Sequence, residues 1–250
     1  MSAEKVSTTL EEVRARFRSE RGVWADNFER MAEIHPDFVE AYLDYSLVPW
    51  RRGALDPKVR ELVYFAIDIS TTHLHSVGAR VHLRNAVRLG AGPEELMDVA
   101  ELAVASGFHT MTLGCRTLIR VLEARGERVP VVDEQKQTEV RHRYLSEIGF
   151  FPEEIDSVLR VDAEIVDAFR KLAFGPDRRR NLDGKTIELI RLALDVATTQ
   201  LHEDGVRLHI ERALDHGATP DEIIEVLELS SVLGIHGSAL GAAAIGDGGS

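Results

Sequence analysis

Four ionisable residues in the first half of the chain follow one another at intervals of seven: Glu61, Asp68, His75 and His82. Residues spaced by seven stay on one face of a continuous helix, with a drift of about 20° per step. Histidine beside a carboxylate suits general acid–base catalysis, because the imidazole pKa lies near neutrality. The spacing therefore predicts acid–base chemistry, with Glu61 and Asp68 on one helix.

Asp68 is expected to lie in an otherwise apolar helix. Carboxylates are rarely fully buried without a partner, so a histidine or arginine of the following helix is expected to pair with it. The alternative is that Asp68 hydrogen-bonds neighbouring backbone groups, as short polar side chains commonly do.

The same set of residues returns 127 positions later. Residues 61–114 align without a gap with residues 188–241, and 23 of the 54 positions are identical. Positions that both copies hold are those that both copies use, for packing or for chemistry. The main ionisable positions held in both copies are Glu61 and Glu188, Asp68 and Asp195, His75 and His202, Arg80 and Arg207, His82 and His209, and His109 and His236.

The repeat predicts two similar folding units in one chain. We expect the domains to be residues 1–124 and 138–250, joined by a linker at 125–137, which is a polar stretch that contains Pro130 and has no periodicity. Two such units are expected to pack as a pseudo-twofold pair, as the subunits of a dimer do.

Each unit is predicted to be helical. Asp56 and Pro57 form a helix N-cap and first turn, and Gly90 and Gly217 stand where a helix ends. The segments that follow Asp56 and Asp183 are apolar on nearly every face, which is typical of buried helices. No convincing alternating strand pattern is present, so the predicted fold class is all-α. In the amino-terminal part the expected core residues are Phe17, Phe28, Met31, Phe38 and Tyr42.

Composition excludes several classes of function. The 250 residues carry a formal net charge of −12, and an acidic chain is a poor general partner for nucleic acid. Cys115 is the one cysteine, so neither a disulfide framework nor a site built from two thiolates can form. The start of the chain lacks the apolar stretch of a signal peptide, and no apolar run approaches about 18 residues. We therefore expect a cytoplasmic protein that binds neither membrane nor nucleic acid.

A pattern present in both copies resembles a known superfamily. The run RELVYFAIDIS precedes a histidine in the pattern H-x3-A-x3-G, which is His82, Ala86 and Gly90, and the pattern recurs from His209. A P-E-E or P-D-E turn and a helix that ends in glycine follow each time. This order of elements resembles the carboxymuconolactone decarboxylase and alkyl hydroperoxidase D superfamily. The resemblance implies an all-α bundle that assembles into trimers or hexamers, and hence a homotrimer of two-unit chains.

The peroxidase members of this superfamily carry the motif C-x2-C-x3-H. Here the two cysteine positions hold His75 and Gly78 in one copy, and His202 and Gly205 in the other. A peroxide is attacked by a thiolate, so thiol peroxidase activity is not expected. The closer resemblance is therefore to the cysteine-free decarboxylases, which act on small anionic lactones without a metal or an organic cofactor.

We expect a cofactor-independent, decarboxylase-like lyase or an isomerase that acts on a small carboxylated substrate and uses no metal. His82 and His209 are the expected general acid–base groups, and Glu61 and Glu188 are expected to tune their pKa values. The other repeated residues are expected to bind and orient the substrate, the arginines by holding its carboxylate. These binding residues are His75, His202, Arg80, Arg207, His109, His236, Asp68 and Asp195.

Two alternatives stay open at the level of sequence. His75, His82 and His109 form a three-histidine set of a kind that holds zinc. Against it, His75 and His82 would stand about 10 Å apart on one helix, which is too far for one ion. The other alternative is a protein that binds a ligand or assembles without catalysis.

Overall fold

Helices form all the regular secondary structure of the residues that the computed structural model describes, which are 8–22, 24 and 28–247. No strand occurs within these ranges, so the predicted all-α class is confirmed. In chain order the α-helices are α1 (Leu10–Arg21), α2 (Glu29–Ile34), α3 (Pro36–Arg52), α4 (Pro57–Ile69), α5 (Ser76–Arg88), α6 (Pro93–Val104), α7 (His109–Ala124), α8 (Glu134–Ile148), α9 (Asp156–Val161), α10 (Ala163–Ala173), α11 (Gly175–Arg179), α12 (Gly184–Val196), α13 (Glu203–Asp215), α14 (Pro220–Val232) and α15 (Ile235–Asp247). Short 3₁₀ turns at Ala105–Phe108 and Glu153–Ile155 precede α7 and α9.

Local sequence decides where the site-bearing helices begin and end. The Asp56 side chain accepts a hydrogen bond from the Lys58 N–H at the start of α4, and Asp183 accepts one from the Thr186 N–H at the start of α12. Gly90 follows α5 with a φ of 92°, in the left-handed region that favours glycine. These caps are the ones that the sequence predicts.

The helices α4 and α12 are buried, as their apolar sequences predict. Each packs against the helix that follows it, α5 or α13, and the two also pack against each other. The hydroxyls of Thr72 and Thr199, which are equivalent residues of the two copies, lie 2.8 Å apart. Equivalent residues of a pseudo-twofold pair meet in this way, so the contact supports the predicted pairing for α4 and α12, whereas the packing of the whole copies stays a prediction.

The chain forms two compact units that do not coincide with the two sequence copies. One unit consists of the residues up to Ala54 together with those from Glu228 onward, and the other is Leu55–Leu227. The second unit therefore holds site-bearing helices from both copies. The domain limits suggested by the repeat stay a prediction, and α8 begins inside the expected linker, at Glu134.

The first unit has its own apolar core. Four of the five core residues predicted there are buried or packed against it, whereas Phe38 is 44% exposed. Val39, Leu43 and Leu47 form the buried stripe of α3 at intervals of four residues. Phe38 lies one residue before this stripe, which turns it about 100° away from the core, so the prediction for Phe38 is wrong.

An aromatic cluster in the second unit joins elements around α8 and α10. The rings of Phe108 and Phe169 stack with their centroids 3.8 Å apart. The Tyr144 ring is fully buried and meets the edge of Phe174 at a centroid distance of 5.8 Å. This cluster forms an apolar wall next to the second copy's helices.

The segment Pro220–Ile245 is long and apolar enough to cross a membrane by length and composition, although no apolar run of such length is expected from the sequence. Half of its most apolar window is buried inside the protein, and the buried core helices of globular proteins pass the same test. The segment is also divided between α14 and α15. It is weak evidence for a membrane span, and the absence of a membrane partner stays a prediction.

Gly205 is expected to tolerate no side chain, because a Cβ there would overlap the Asp195 carboxylate. Gly205→Ala must displace this buried group, and we expect it to lower the free energy of unfolding by about 1–3 kcal/mol. Gly114→Ala is the matched control, since a Cβ on that helical glycine meets nothing within 4 Å. Alanine there should stabilise the helix by about 0.5–1 kcal/mol. Urea unfolding measures both variants, and equal stabilities would contradict the packing of Asp195.

Candidate active site

Two sets of four residues repeat one arrangement in the second unit. We call Glu61, Asp68, His75 and His82 the first site, and Glu188, Asp195, His202 and His209 the second site. In each site the glutamate and aspartate lie on α4 or α12, and the second histidine lies on α5 or α13. A tight turn joins the two helices, so that the backbone N–H of His75 donates to the Asp68 carbonyl at 2.8 Å. The structure thus brings the members of each set together.

In each site a glutamate holds a histidine by its Nδ1 atom. His82 Nδ1 lies 2.7 Å from Glu61 Oε2, and His209 Nδ1 lies 2.7 Å from Glu188 Oε2. A carboxylate only accepts hydrogen bonds, so Nδ1 carries the proton and the lone pair of the neutral ring is on Nε2. Each glutamate–histidine pair, which we call a dyad, therefore presents a basic nitrogen.

A buried aspartate lies among the histidines of the first site. Asp68 Oδ2 lies 4.0 Å from Nε2 of His82, and Asp68 Oδ1 lies 3.5 Å from His73 and 3.7 Å from His75. Burial raises the pKa of Asp68 to about 8. Histidines of the turn and of α5 thus surround Asp68, as the sequence predicts.

His75 and His202 hold the opposite tautomer from the dyad histidines. His75 Nδ1 accepts the Gly78 N–H at 3.1 Å, and His202 Nδ1 accepts the Gly205 N–H at 3.2 Å. A nitrogen that accepts a hydrogen bond carries no proton, so the neutral ring carries its proton on Nε2. Each site therefore combines a histidine that can take a proton at Nε2 with one that donates from Nε2.

Asp195 is the centre of the second site. Its Oδ2 atom lies 3.6 Å from His209 Nε2 and 3.7 Å from His202 Nδ1, and its Oδ1 atom lies 3.3 Å from His109 Nε2. The rings of His109 and His202 stack with centroids 3.8 Å apart. Glu154 Oε2 lies 3.2 Å from His202 Nε2. Three histidines therefore lie together with the carboxyl groups of Asp195 and Glu154, next to the dyad glutamate Glu188.

The position of His109 corrects the three-histidine set drawn from the sequence. His109 lies in the second site, beside Asp195 and His202, and not with His75 and His82. The reason is that α6 packs against α12 of the other copy, so the turn that follows α6 places His109 at the second site. The proposed set of His75, His82 and His109 therefore does not form.

A second group of possible metal ligands occurs where His109 does lie. Ligand atoms of His109, Asp195 and His202 all lie within 4.8 Å of one another. A neutral histidine binds a metal through a nitrogen that carries no proton. His202 Nδ1 accepts the Gly205 N–H, which leaves the proton on the Nε2 atom. This donor set therefore fits hydrogen bonding better than it fits a metal ion.

The surroundings shift the pKa values of the second site in different directions. Asp195 first, and also Glu154 and Asp204, raise the pKa of His202. Burial lowers the pKa of His109 although Asp195 opposes the shift, and burial raises the pKa of Glu154. When the pKa values of neighbouring groups are shifted in opposite directions, one group can act as the acid and the other as the base.

The first dyad has uncharged neighbours. The Asn85 side chain donates to Glu61 Oε2 at 3.3 Å, and the Tyr64 ring stacks on His82 with centroids 4.5 Å apart. Burial lowers the pKa of His75, as do the nearby imidazoles. Neutral histidine is therefore favoured at that position of the first site, in contrast to His202.

The second dyad has two arginines in the equivalent places. Arg212 Nε donates to Glu188 Oε1 at 2.7 Å, and Arg191 Nη1 donates to the same atom at 3.3 Å. Burial alone would raise the pKa of Glu188, but the charge of Arg191 and the hydrogen bond from His209 lower it to about 2. Glu188 is therefore held as a carboxylate, which keeps the Nδ1 proton of His209 in place.

A cavity of about 60 Å³ opens beside the second site. Its polar lining includes His109, Glu154, Arg191, Asp195 and His209, and its aromatic lining consists of Phe108, Phe150, Phe169 and Phe174. The Arg212 guanidinium lies 3.7 Å from the centroid of Phe150, and that of Arg191 lies 4.8 Å from the centroid of Phe174. Such contacts are attractive, so the aromatic wall also orients the arginines that hold Glu188.

The structure does not bring every predicted binding residue to a site. Arg80 and Arg207 are exposed, Arg207 is 3.4 Å from Glu211, and neither lines the cavity. They lie on the outer faces of α5 and α13, two residues before the dyad histidines and therefore about 200° from them. His236 lies on α15, which belongs to the other compact unit, so its role in substrate binding stays a prediction.

Several site residues escaped the sequence analysis. Arg191 and Arg212 stand where the first copy has Tyr64 and Asn85, so a comparison of identical positions passes over them. The signal for Arg191 was present, because it is a charged residue inside an otherwise apolar helix. Glu154 lies outside the aligned repeat, and nothing in its sequence context marks it.

The chain resembles known proteins over most of its length. The model of the carboxymuconolactone decarboxylase family matches residues 36–112 and 163–246. The chain is also similar to a solved structure from Burkholderia xenovorans, whose description proposes a gamma-carboxymuconolactone decarboxylase subunit. The two chains share 32% identity over 97% of this chain and 98% of the other, with a TM-score of 0.89. Curated proteins give no significant match. The chain therefore belongs to the carboxymuconolactone decarboxylase family, with two matched segments in tandem.

Asp68→Asn is expected to flatten the dependence of stability on pH. The folded state raises the pKa of Asp68 from its usual 3.8 to about 8, so the stability that its proton supports is complete below about pH 4 and is lost as the pH rises to 8. Over this range the free energy of unfolding of the wild type should fall by on the order of a few kcal/mol. That of Asp68→Asn should stay unchanged. Urea unfolding at pH 5 and pH 8 measures the difference.

Asp215→Asn is the control for this experiment, because Asp215 is exposed at the end of α13. It should retain the wild-type pH dependence. If Asp68→Asn also retains it, the buried aspartate is not held in its protonated form.

Proposed function

We propose that this protein is a cofactor-independent lyase or isomerase that acts on a small carboxylated substrate, with the second site as its main catalytic centre. The observation that carries the proposal is the pairing of opposite tautomers around Asp195, which lines the cavity beside His209. His209, held by Glu188, presents a basic Nε2, and His202 presents an Nε2–H donor. Membership of a decarboxylase family supports the same chemistry.

His209 is proposed as the general acid–base group. In an isomerisation, its Nε2 lone pair takes a proton from the carbon next to a carbonyl, and the C–H electrons move into an enolate. In a decarboxylation, the C–C electrons stay on the carbon as carbon dioxide leaves, and the protonated His209 supplies the proton that forms the new C–H bond. Neither route changes the oxidation state of the protein.

The charge of the site limits how a carboxylated substrate can bind. Arg191 is engaged with Glu188 and, at 2.6 Å, with Asp177, and Arg212 is engaged with Glu188. The two arginines are therefore proposed to act through Glu188 and not to bind the substrate carboxylate directly.

The size of the cavity indicates a small substrate. Ligand pockets usually measure about 300–1,000 Å³, and the cavity beside His209 measures about 60 Å³. A substrate of only a few heavy atoms is therefore proposed to bind without rearrangement. A larger lactone requires the aromatic wall to move.

The two sites are proposed to contribute unequally. His82 lies under the Tyr64 ring, and Glu61 has the neutral Asn85 as a partner. Glu188 is held by two arginines, and its histidine lines the cavity. We propose that the second dyad carries most of the turnover.

We further propose a cytoplasmic homotrimer that has neither nucleic acid nor membrane as a partner. Large apolar residues are exposed at equivalent positions of both copies, for example Leu74 and Leu201, each 68% exposed, and Val87 and Leu214. Exposed apolar surface that both copies share favours contact with other copies of the chain. The Burkholderia xenovorans relative is likewise described as a subunit.

His209→Gln is expected to lower kcat by about 10²–10⁴-fold, which is the usual contribution of one acid–base group. His82→Gln should have a smaller effect, because its dyad lacks the arginine-held glutamate. Gamma-carboxymuconolactone, the compound in the relative's description, is the first probe. Released carbon dioxide reports decarboxylation, and loss of substrate without it reports isomerisation.

His142→Gln is the control, since His142 is exposed on α8 and should be replaceable without loss. Full turnover in the double variant of His82 and His209 would refute their catalytic role. It would favour a protein that binds a ligand without converting it.

A further inference from the structure

Glu154 is a carboxyl group of the cavity that belongs to neither dyad. It lies in the 3₁₀ turn Glu153–Ile155, outside the aligned repeat, so the position is not part of the duplicated set. Its side chain lines the cavity together with Asp195 and His209. Its Oε2 atom is buried, makes no hydrogen bond with the described residues, and lies at ion-pair distance, 3.2 Å, from His202 Nε2.

The tautomer of His202 decides which ring nitrogen carries the proton, and hence whether that proton lies beside Glu154. His202 Nδ1 accepts the Gly205 N–H, so the proton of the neutral ring lies on Nε2, on the side of Glu154. A carboxylate at Glu154 lies at ion-pair distance from that nitrogen, so the two groups titrate together and an added proton is shared between the carboxyl group and the imidazole. Glu154 and His202 therefore form one proton-holding pair.

Other titratable groups around His202 are less suited to this role. Asp195 faces the Nδ1 atom of the ring, at 3.7 Å, and His109 stacks on its face. Asp204 is largely exposed and pairs with Arg116 at 3.2 Å. His209 is held by its own glutamate. Glu154 is the carboxyl group that is both buried and placed at Nε2.

We infer that the Glu154–His202 pair is a second acid–base pair of the second site, separate from the Glu188–His209 dyad. This inference rests on the proposed function. The pair gives its shared proton to the substrate carbanion, and the carbanion electrons form the new C–H bond. The pair is left as a Glu154 carboxylate beside neutral His202, and it regains a proton from water.

The consequence is a site with two proton-transfer groups. His209 can take a proton at one point of the substrate while the Glu154–His202 pair returns another elsewhere. Such a site suits a carbonyl acid in which a proton changes position, or one that loses carbon dioxide and is protonated at a distant carbon. In a site with a single base, the same group must both remove the proton from the substrate and return it.

Glu154→Gln tests the pair without a substrate. Removing a carboxylate next to an imidazolium should lower the pKa of His202 by about one unit. Proton NMR titration of the His202 ring, assigned by the loss of its signal in His202→Gln, measures this shift. Glu153→Gln is the matched control, because Glu153 is the exposed neighbour on the same turn and should leave the His202 pKa unchanged.

Turnover of gamma-carboxymuconolactone tests the catalytic part. Glu154→Gln should lower kcat about 10²-fold with little change in KM. Because an acid loses activity as the pH rises through its pKa, the alkaline limb of the kcat profile should move to lower pH. Glu154→Asp should recover part of kcat, since the carboxyl group is kept.

The outcomes separate the pair from the proposed function. An unchanged His202 pKa in Glu154→Gln overturns the pair, whatever the turnover. A lowered pKa with unchanged kcat and pH profile leaves Glu154 without a catalytic role and overturns the inference. Wild type without turnover of the probe overturns the proposed function for this substrate and the catalytic part with it, while the NMR result still decides whether Glu154 and His202 share a proton.

Discussion

The site depends on one constraint: a glutamate is buried on a helix that is apolar on nearly every face. Glu61 is 3% exposed and Glu188 is 1% exposed. A buried carboxylate must be met by donors, and the next helix supplies one from the Nδ1 atom of a histidine in both copies. The contact that packs α4 against α5, and α12 against α13, therefore also orients the imidazole. Stability and the proposed acid–base chemistry depend on the same hydrogen bond.

A second constraint acts where the following helix begins. Its first N–H groups need an acceptor, and a histidine Nδ1 atom provides it at Gly78 and at Gly205. The glycine leaves room for the aspartate of the preceding helix. One helix terminus thus fixes the tautomer of a histidine and the position of a buried acid. The two copies then diverge through the partners of their glutamates, neutral around Glu61 and cationic around Glu188.

Much of this arrangement could be predicted from the sequence, because the chain contains two copies that can be aligned with each other. Both dyads occupy positions that the two copies hold in common, and the helix caps are local signals. The place of His109 could not be predicted, since it depends on α6 packing against the other copy's α12. Arg191 was missed because it differs between the copies, and Glu154 because it lies outside them. The arginines expected to bind substrate are exposed, which the choice of repeated positions alone could not reveal.

The proposed chemistry requires each site to hold two histidines in opposite tautomers. Long-range ¹H–¹⁵N NMR of the histidine rings, recorded at a pH where they are neutral, reads the tautomer directly. The hydrogen bonds of the two sites require a proton on Nδ1 in His82 and His209, and on Nε2 in His75 and His202. If all four rings carry the proton on Nε2, the dyad glutamates do not hold their histidines, and the acid–base assignment is contradicted.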